Sequence, residues 1–157
     1  MPGRFSEVTS DVDDILHEVR QQYFPELVNA KILCLFDIKK RQSKGKIILA
    51  RIKKSDDLVR HLTINETDNE EGFDYIVFID QMIWTNIERE DKIRLIRHEL
   101  RHTLYDVDSR TTPYKLISHD VEDFIAEIEL NSDDLRWSQR VGELLEHLYS
   151  QERETEE

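Results

Sequence analysis

The stretch Ile93-Arg-Leu-Ile-Arg-His98-Glu-Leu-Arg-His102 decides how the chain is read. It contains H-E-x-x-H, and Ile93, Ile96, Leu100 and Leu104 recur at helical spacing, which predicts a helix over roughly residues 88–105. Positions four apart stack on one helix face, so His98 and His102 can aim two imidazoles at one metal ion, with Glu99 a third of a turn away. Two neutral imidazoles beside a carboxylate able to take a proton from a metal-activated water form a zinc-hydrolase arrangement. The histidine pair falls nearly opposite the apolar stripe, next to Leu95. A solvated outer face would accommodate two histidines equally well, so the stripe alone does not decide. An apolar strand upstream and another histidine downstream favour a cleft.

Outward from the motif, residues 73–80 (Phe-Asp-Tyr-Ile-Val-Phe-Ile-Asp) form the strongest strand by β-branched and aromatic content. Residues 31–38 read as a second buried strand. Residues 41–45 are turn-like, and residues 46–52 form a strand expected to pair with 31–38 as a hairpin. Val12, Ile15, Leu16 and Val19 mark an N-terminal helix capped by Thr9 or Ser10 and ending near Pro25. Residues 55–63, which include His61, fit a short helix or a strand. The acidic run 66–72 is a solvated loop without the spacing of an EF-hand. A short helix or turn over 81–86 buries Trp84, and Thr85-x-x-Glu88 has the spacing of a capping box for the motif helix. A polar connection over 106–114 leads to a helix from about Ser118, with Val121, Phe124, Ile125 and Ile128 on its apolar stripe. Trp137, Val141, Leu144, Leu145 and Leu148 mark a final amphipathic helix. With no repeats and no Gly/Ser linker, residues 1–157 read as one domain, with about 1–8 and 151–157 flexible. The fold class is α+β: a small, twisted, mostly antiparallel sheet with an N-terminal helix, the motif helix and C-terminal helices.

Charge narrows the partners. The net charge of −12 argues against unaided binding to nucleic acid or to an anionic membrane surface. No apolar run approaches the roughly 18 residues of a membrane span. The first ten residues lack the basic-then-apolar pattern of a signal peptide. Cys34, the only cysteine, excludes internal disulfides and Cys-rich zinc ribbons. A cytoplasmic protein is expected.

A catalytic zinc needs three protein ligands. His119 is the first choice for the third, Glu122 the alternative and Glu127 a weaker one. A Glu ligand would make the bound water less acidic. Asp106, Asp108 and, for His119, Asp123 are candidates to orient an imidazole by accepting its spare N–H. Tyr114 is a candidate oxyanion donor. Tyr75, Val77 and Ile79 are expected to line the substrate cleft, their strand pairing with an extended peptide.

His98-Glu-Leu-Arg-His102 followed by His119-Asp-Val-Glu-Asp-Phe124 resembles the SprT-like and related phage-type metallopeptidases. In the SprT-like proteins a third histidine opens an H-G-x-x-F/W-like segment. The phage-type resemblance extends over residues 74–79, Trp84, the motif helix and the His119 segment, about half the chain. It implies a zincin: a twisted sheet beside the motif helix and a C-terminal helical part carrying the third ligand. It also implies Zn2+ held by His98, His102 and His119, with Glu99 as general base, hydrolysing a peptide or protein substrate. Asp120, Val121 and an extra residue before Phe124 depart from the SprT-type spacing. The Cys-rich module and basic surface of SprT proteins that act on DNA-linked proteins are missing, so that substrate class does not carry over. Two other classes compete. One is a non-catalytic zinc-binding or protein-interaction module that uses the acidic surface and the 137–148 helix; the other is a metal-dependent hydrolase of a different bond.

Overall fold

The computed structural model describes residues 3–43, 45–67, 71–117 and 125–156. Their elements are β1 (Phe5–Glu7), α1 (Ser10–Tyr23), β2 (Ile32–Asp37), β3 (Gln42–Ser43), β4 (Lys46–Ile47), β5 (Ala50–Lys54), α2 (Asp57–Leu62), β6 (Tyr75–Asp80), α3 (Gln81–Trp84), α4 (Arg89–Leu100), β7 (Thr103–Tyr105), β8 (Tyr114–Leu116), α5 (Ile125–Leu130) and α6 (Trp137–Glu156). The architecture is α+β: a four-stranded sheet in the order β1-β2-β6-β5, with two small hairpins, β3-β4 and β7-β8, beside it.

β6 sits at the centre because all of its side chains are apolar except the last. Every residue of it is buried. Alternation sends Tyr75, Val77 and Ile79 into the helical core. Phe78 points to the other face, where the Phe5 ring (5.1 Å) and the Arg51 guanidinium (4.3 Å) cover it. Strand β2 runs parallel to β6 and β5 antiparallel to it, so both of its edges are bonded.

This pairing corrects the expected hairpin between residues 31–38 and 46–52. β2 is occupied along its length by β6 on one side and by β1 on the other. The chain between them forms β3-β4 and then lays β5 on the far edge of β6. Near the two ends, Phe5–Glu7 pairs with β2, and α6 continues to Glu156.

On α1, Val12, Ile15, Leu16 and Val19 are buried, Thr9 is the N-cap, and Asp11 and Asp13 sit in the first turn, where the helix dipole favours them. Asp80 ends β6 and starts α3, its carboxylate accepting from the Ile83 N–H at 2.9 Å. Trp84 is buried and donates to Asp11 at 2.9 Å. Thr85 closes α3 rather than opening α4: its hydroxyl donates to the Gln81 and Met82 carbonyls, and Glu88 is the N-cap of α4. The apolar residues of α6 face inward, with Trp137, Val141, Leu145 and Tyr149 buried. Among the described residues no helix is long and apolar enough to cross a membrane.

Gly72 turns the chain into β6 with φ at +75°, and a Cβ there would lie 2.3 Å from the Arg60 carbonyl oxygen. No L side chain fits both constraints. Gly72→Ala is expected to lower unfolding stability by about 2 kcal/mol or more in urea titrations; an unchanged midpoint would contradict this.

Candidate metal and catalytic site

Helix α4 packs on α1 and β5 and presents three different faces. Ile96 and Leu100 are fully buried in the core. Arg97 and Arg101 point to α5, where Glu127 is completely buried and accepts from Arg97 Nε at 2.6 Å and Arg101 Nη2 at 2.9 Å. Arg97 also donates to Asn131 through Nη2. The two guanidiniums lie over the Tyr23 and Phe24 rings at 5.1 and 4.5 Å. The remaining face carries His98 and Glu99.

The helix stops at Leu100, earlier than its periodicity suggests. The His102 N–H donates to the Glu99 carbonyl at 3.1 Å, and the Thr103 hydroxyl donates to the Leu100 carbonyl at 2.7 Å. The β-prone run Thr103-Leu-Tyr then pairs with Tyr114–Leu116. Leu104 is therefore on a strand and 45% exposed, outside the core stripe.

His102 still stands beside His98. The ring centroids are 5.5 Å apart at an interplanar angle of 75°. Two imidazoles on one tetrahedral ion, with N–metal bonds of about 2.0–2.1 Å, would hold their ring centres roughly 5 Å apart. The His102 ring is oriented from an unexpected side. Its Nδ1 lies 2.8 Å from the Ile117 carbonyl, and the Ile117 N–H donates to the His102 carbonyl at 2.6 Å. A carbonyl only accepts, so Nδ1 carries a proton, and in the neutral imidazole this leaves the lone pair on Nε2, as a ligand requires. Asp106 and Asp108 do not take this role. They shape the hairpin turn: the Asp106 N–H donates to the Pro113 carbonyl, and the Asp106 carboxylate accepts from the Asp108 N–H.

Glu99 is 6% exposed. With His98 it lines a cleft of about 270 Å³ whose other walls are residues 47–50, Leu95, Trp137 and Ser138. The Trp137 ring meets His98 edge-on at 6.5 Å. In this apolar surrounding, burial pushes the Glu99 carboxyl from the ordinary 4.5 up to about 8. Neutral nitrogen donors from two imidazoles, one with its tautomer set, and a carboxyl beside them suit a borderline metal such as zinc.

Other expected participants lie elsewhere. Tyr75, Val77 and Ile79 are at most 1% exposed and belong to a strand bonded on both edges, so they cannot line a cleft or add a substrate strand. β5 is an edge strand of the sheet, and its Ala50 lines the cleft. Tyr114 packs against Tyr75 and Tyr105 at 5.9 and 5.6 Å and lines a separate cavity with His61 and Arg60. Glu127 is engaged by two arginines. His119, Glu122 and Asp123 lie outside the described residues, as does the expected start of a helix at Ser118. Among the described residues no group of three His, Cys, Asp or Glu side chains is placed to hold a metal ion. Residues 47–50 and Trp137 were not foreseen as cleft walls; Trp137 opening an amphipathic helix was the only signal, and it reads equally as core.

A family model described as "Putative phage metallopeptidase" matches residues 4–149, nearly the whole chain. No curated protein and no solved structure matches.

The raised Glu99 pKa has a definite sign for stability. Below about pH 4.5 the carboxyl is protonated in both folded and unfolded chains, and its contribution is fully present. As pH rises towards about 8, the unfolded chain releases a proton that the folded one retains, so stability is lost. Chelator-treated Glu99→Gln lacks this loss. Its advantage over the unsubstituted protein in urea unfolding should grow between pH 5 and pH 8, to the order of a few kcal/mol, and then level off. A pH-independent difference would show that the carboxyl is not buried in this way.

Proposed function

The chain belongs to the putative phage metallopeptidase family, and from that premise we propose that it is a zinc-dependent peptidase with Glu99 as general base. One observation carries this reading: a buried carboxyl shares an apolar cleft with His98, while His102, its lone pair on Nε2, stands 5.5 Å away, ring centre to ring centre. His98 and His102 would hold the ion, with His119 as third ligand and Glu122 as the alternative. The descent of the chain supports a ligand soon after β8, because Ile117 is hydrogen-bonded to His102 through both backbone and ring. When bound, zinc supplies Lewis acidity that polarises the scissile carbonyl and makes a water acidic near neutral pH.

The chain's own groups do the rest. Glu99 takes a proton from the attacking water and returns it to the departing amine. A carboxyl held at an elevated pKa is well matched to both transfers. The Ile117 carbonyl keeps the His102 ring from rotating. An extended peptide can lie along the β5 edge, its main chain bonding in place of a further strand. The side chain next to the scissile bond meets Ile48, Leu49, Leu95 and Trp137, which suit an apolar residue. A cytoplasmic setting fits the single, buried thiol of Cys34. The interaction-module reading relied on the 137–148 helix, and the apolar stripe of that helix is packed into the core rather than offered to a partner.

Glu99→Gln should retain zinc at the unsubstituted stoichiometry by elemental analysis, while peptide hydrolysis falls by about 10²–10⁴-fold. Undiminished cleavage by the metal-loaded variant would contradict the mechanism.

A further inference from the structure

Strand β5 has two ends with different chemistry. At one, Ala50 lines the cleft that holds His98 and Glu99. At the other, about 13 Å along at roughly 3.3 Å per residue, stands Lys54. β5 is a sheet edge, and β8 passes close to it. Lys54 stands opposite Tyr75 in the sheet, and the Tyr75 hydroxyl donates to the Lys115 carbonyl of β8 at 2.8 Å, which makes the two lysines neighbours; Arg60 adds a third positive charge nearby. Both lysines are half-buried. An ammonium has donors and no acceptor, so neither lysine satisfies the other.

The surrounding carboxylates do not resolve this crowding. Asp74 is engaged by Arg60 Nη1 at 2.9 Å and by the Lys31 N–H at 2.8 Å. Asp57 acts on Lys54 without a hydrogen bond. Among the described residues the Lys115 ammonium reaches only the Thr111 hydroxyl, at 3.4 Å. Among the described residues neither lysine has an ion pair. Burial, then Lys115 and Arg60, push the Lys54 pKa down, as crowded cations should. The net charge of −12 makes this knot of cations a local arrangement rather than part of a basic surface.

Resting on the peptidase reading, we propose that Lys54 and Lys115 form a substrate subsite that selects peptides with a Glu or Asp side chain about four residues from the bond held at Glu99. A peptide extended along β5 spans that distance in the same number of residues, and its carboxylate would bridge the two ammonium groups. Direct contact with two half-buried cations gives specificity that a surface charge alone would not.

The test separates this subsite from the peptidase reading. Labelled peptides with amidated C-termini carry an apolar anchor and a single Glu, Gln or Lys scanned through the flanking positions. They are titrated by fluorescence anisotropy onto zinc-loaded Glu99→Gln protein, which binds without turnover. At a position near four residues from the anchor, Glu should bind about tenfold tighter than Gln, and the advantage should shrink in about 0.5 M NaCl. Lys54→Gln should reduce it, and the double variant Lys54→Glu with Lys115→Glu, its fold checked by circular dichroism, should prefer Lys instead. No position favouring Glu, or a Glu preference that survives the charge reversal, overturns the subsite. The unsubstituted enzyme is then assayed on the same peptides. Glu-selective binding without any cleavage would sink the peptidase reading and leave the subsite standing, whereas cleavage indifferent to Glu would do the reverse.

Discussion

The constraint on which the structure turns is that one short helix must serve three environments. Around α4, aliphatic side chains enter the core, arginines close over a buried carboxylate, and an imidazole with a carboxyl faces a cleft. Among the described residues the buried Glu127 is paired with Arg97 and Arg101 alone, so these arginines fix α5 to the motif helix. An unpaired charge in that position would cost several kcal/mol. The face that carries His98 and Glu99 is thereby held from behind by an ion pair and in front by the walls of the cleft. The same rigidity keeps Glu99 out of water, which is what raises its pKa.

The end of the helix matters as much as its body. Helical geometry gives way at Leu100, yet His102 remains opposite His98 because β8 returns along β7 and delivers the Ile117 backbone to it. One pair of hydrogen bonds joins helix end, hairpin and imidazole tautomer. The cleft is completed by residues distant in sequence, from the approach to β5 and from the first turn of α6.

What was legible in the sequence follows from locality. His98, Glu99 and His102 lie within five residues, so spacing alone brings them together. Val12, Ile15, Leu16 and Val19 likewise announced α1, and the apolar run of β6 announced a buried strand. The errors came where non-local contacts outweigh local pattern. Residues 46–52 were near enough to β2 to form a hairpin, but the more apolar β6 took the central position between them. That same apolarity made Tyr75, Val77 and Ile79 look like cleft residues when it marks the middle of the sheet. Thr85 and Glu88 have capping-box spacing, but the Thr85 hydroxyl is taken by carbonyls behind it. The group orienting His102 is a backbone carbonyl, which no residue type reveals. His119 and Glu122, the candidates for a third ligand, lie outside the described residues, and the case for His119 rests on its resemblance to the family pattern and on where β8 ends.

The central claim is a three-imidazole zinc site beside Glu99. X-ray absorption at the zinc edge of the metal-loaded full chain tests it most directly. The account predicts a four-coordinate site with light ligands at about 2.0–2.1 Å and outer-shell scattering from three imidazoles, one of which disappears in His119→Ala. A spectrum with two imidazoles that is unchanged in His119→Ala, or a six-oxygen shell with no imidazole scattering, would contradict it.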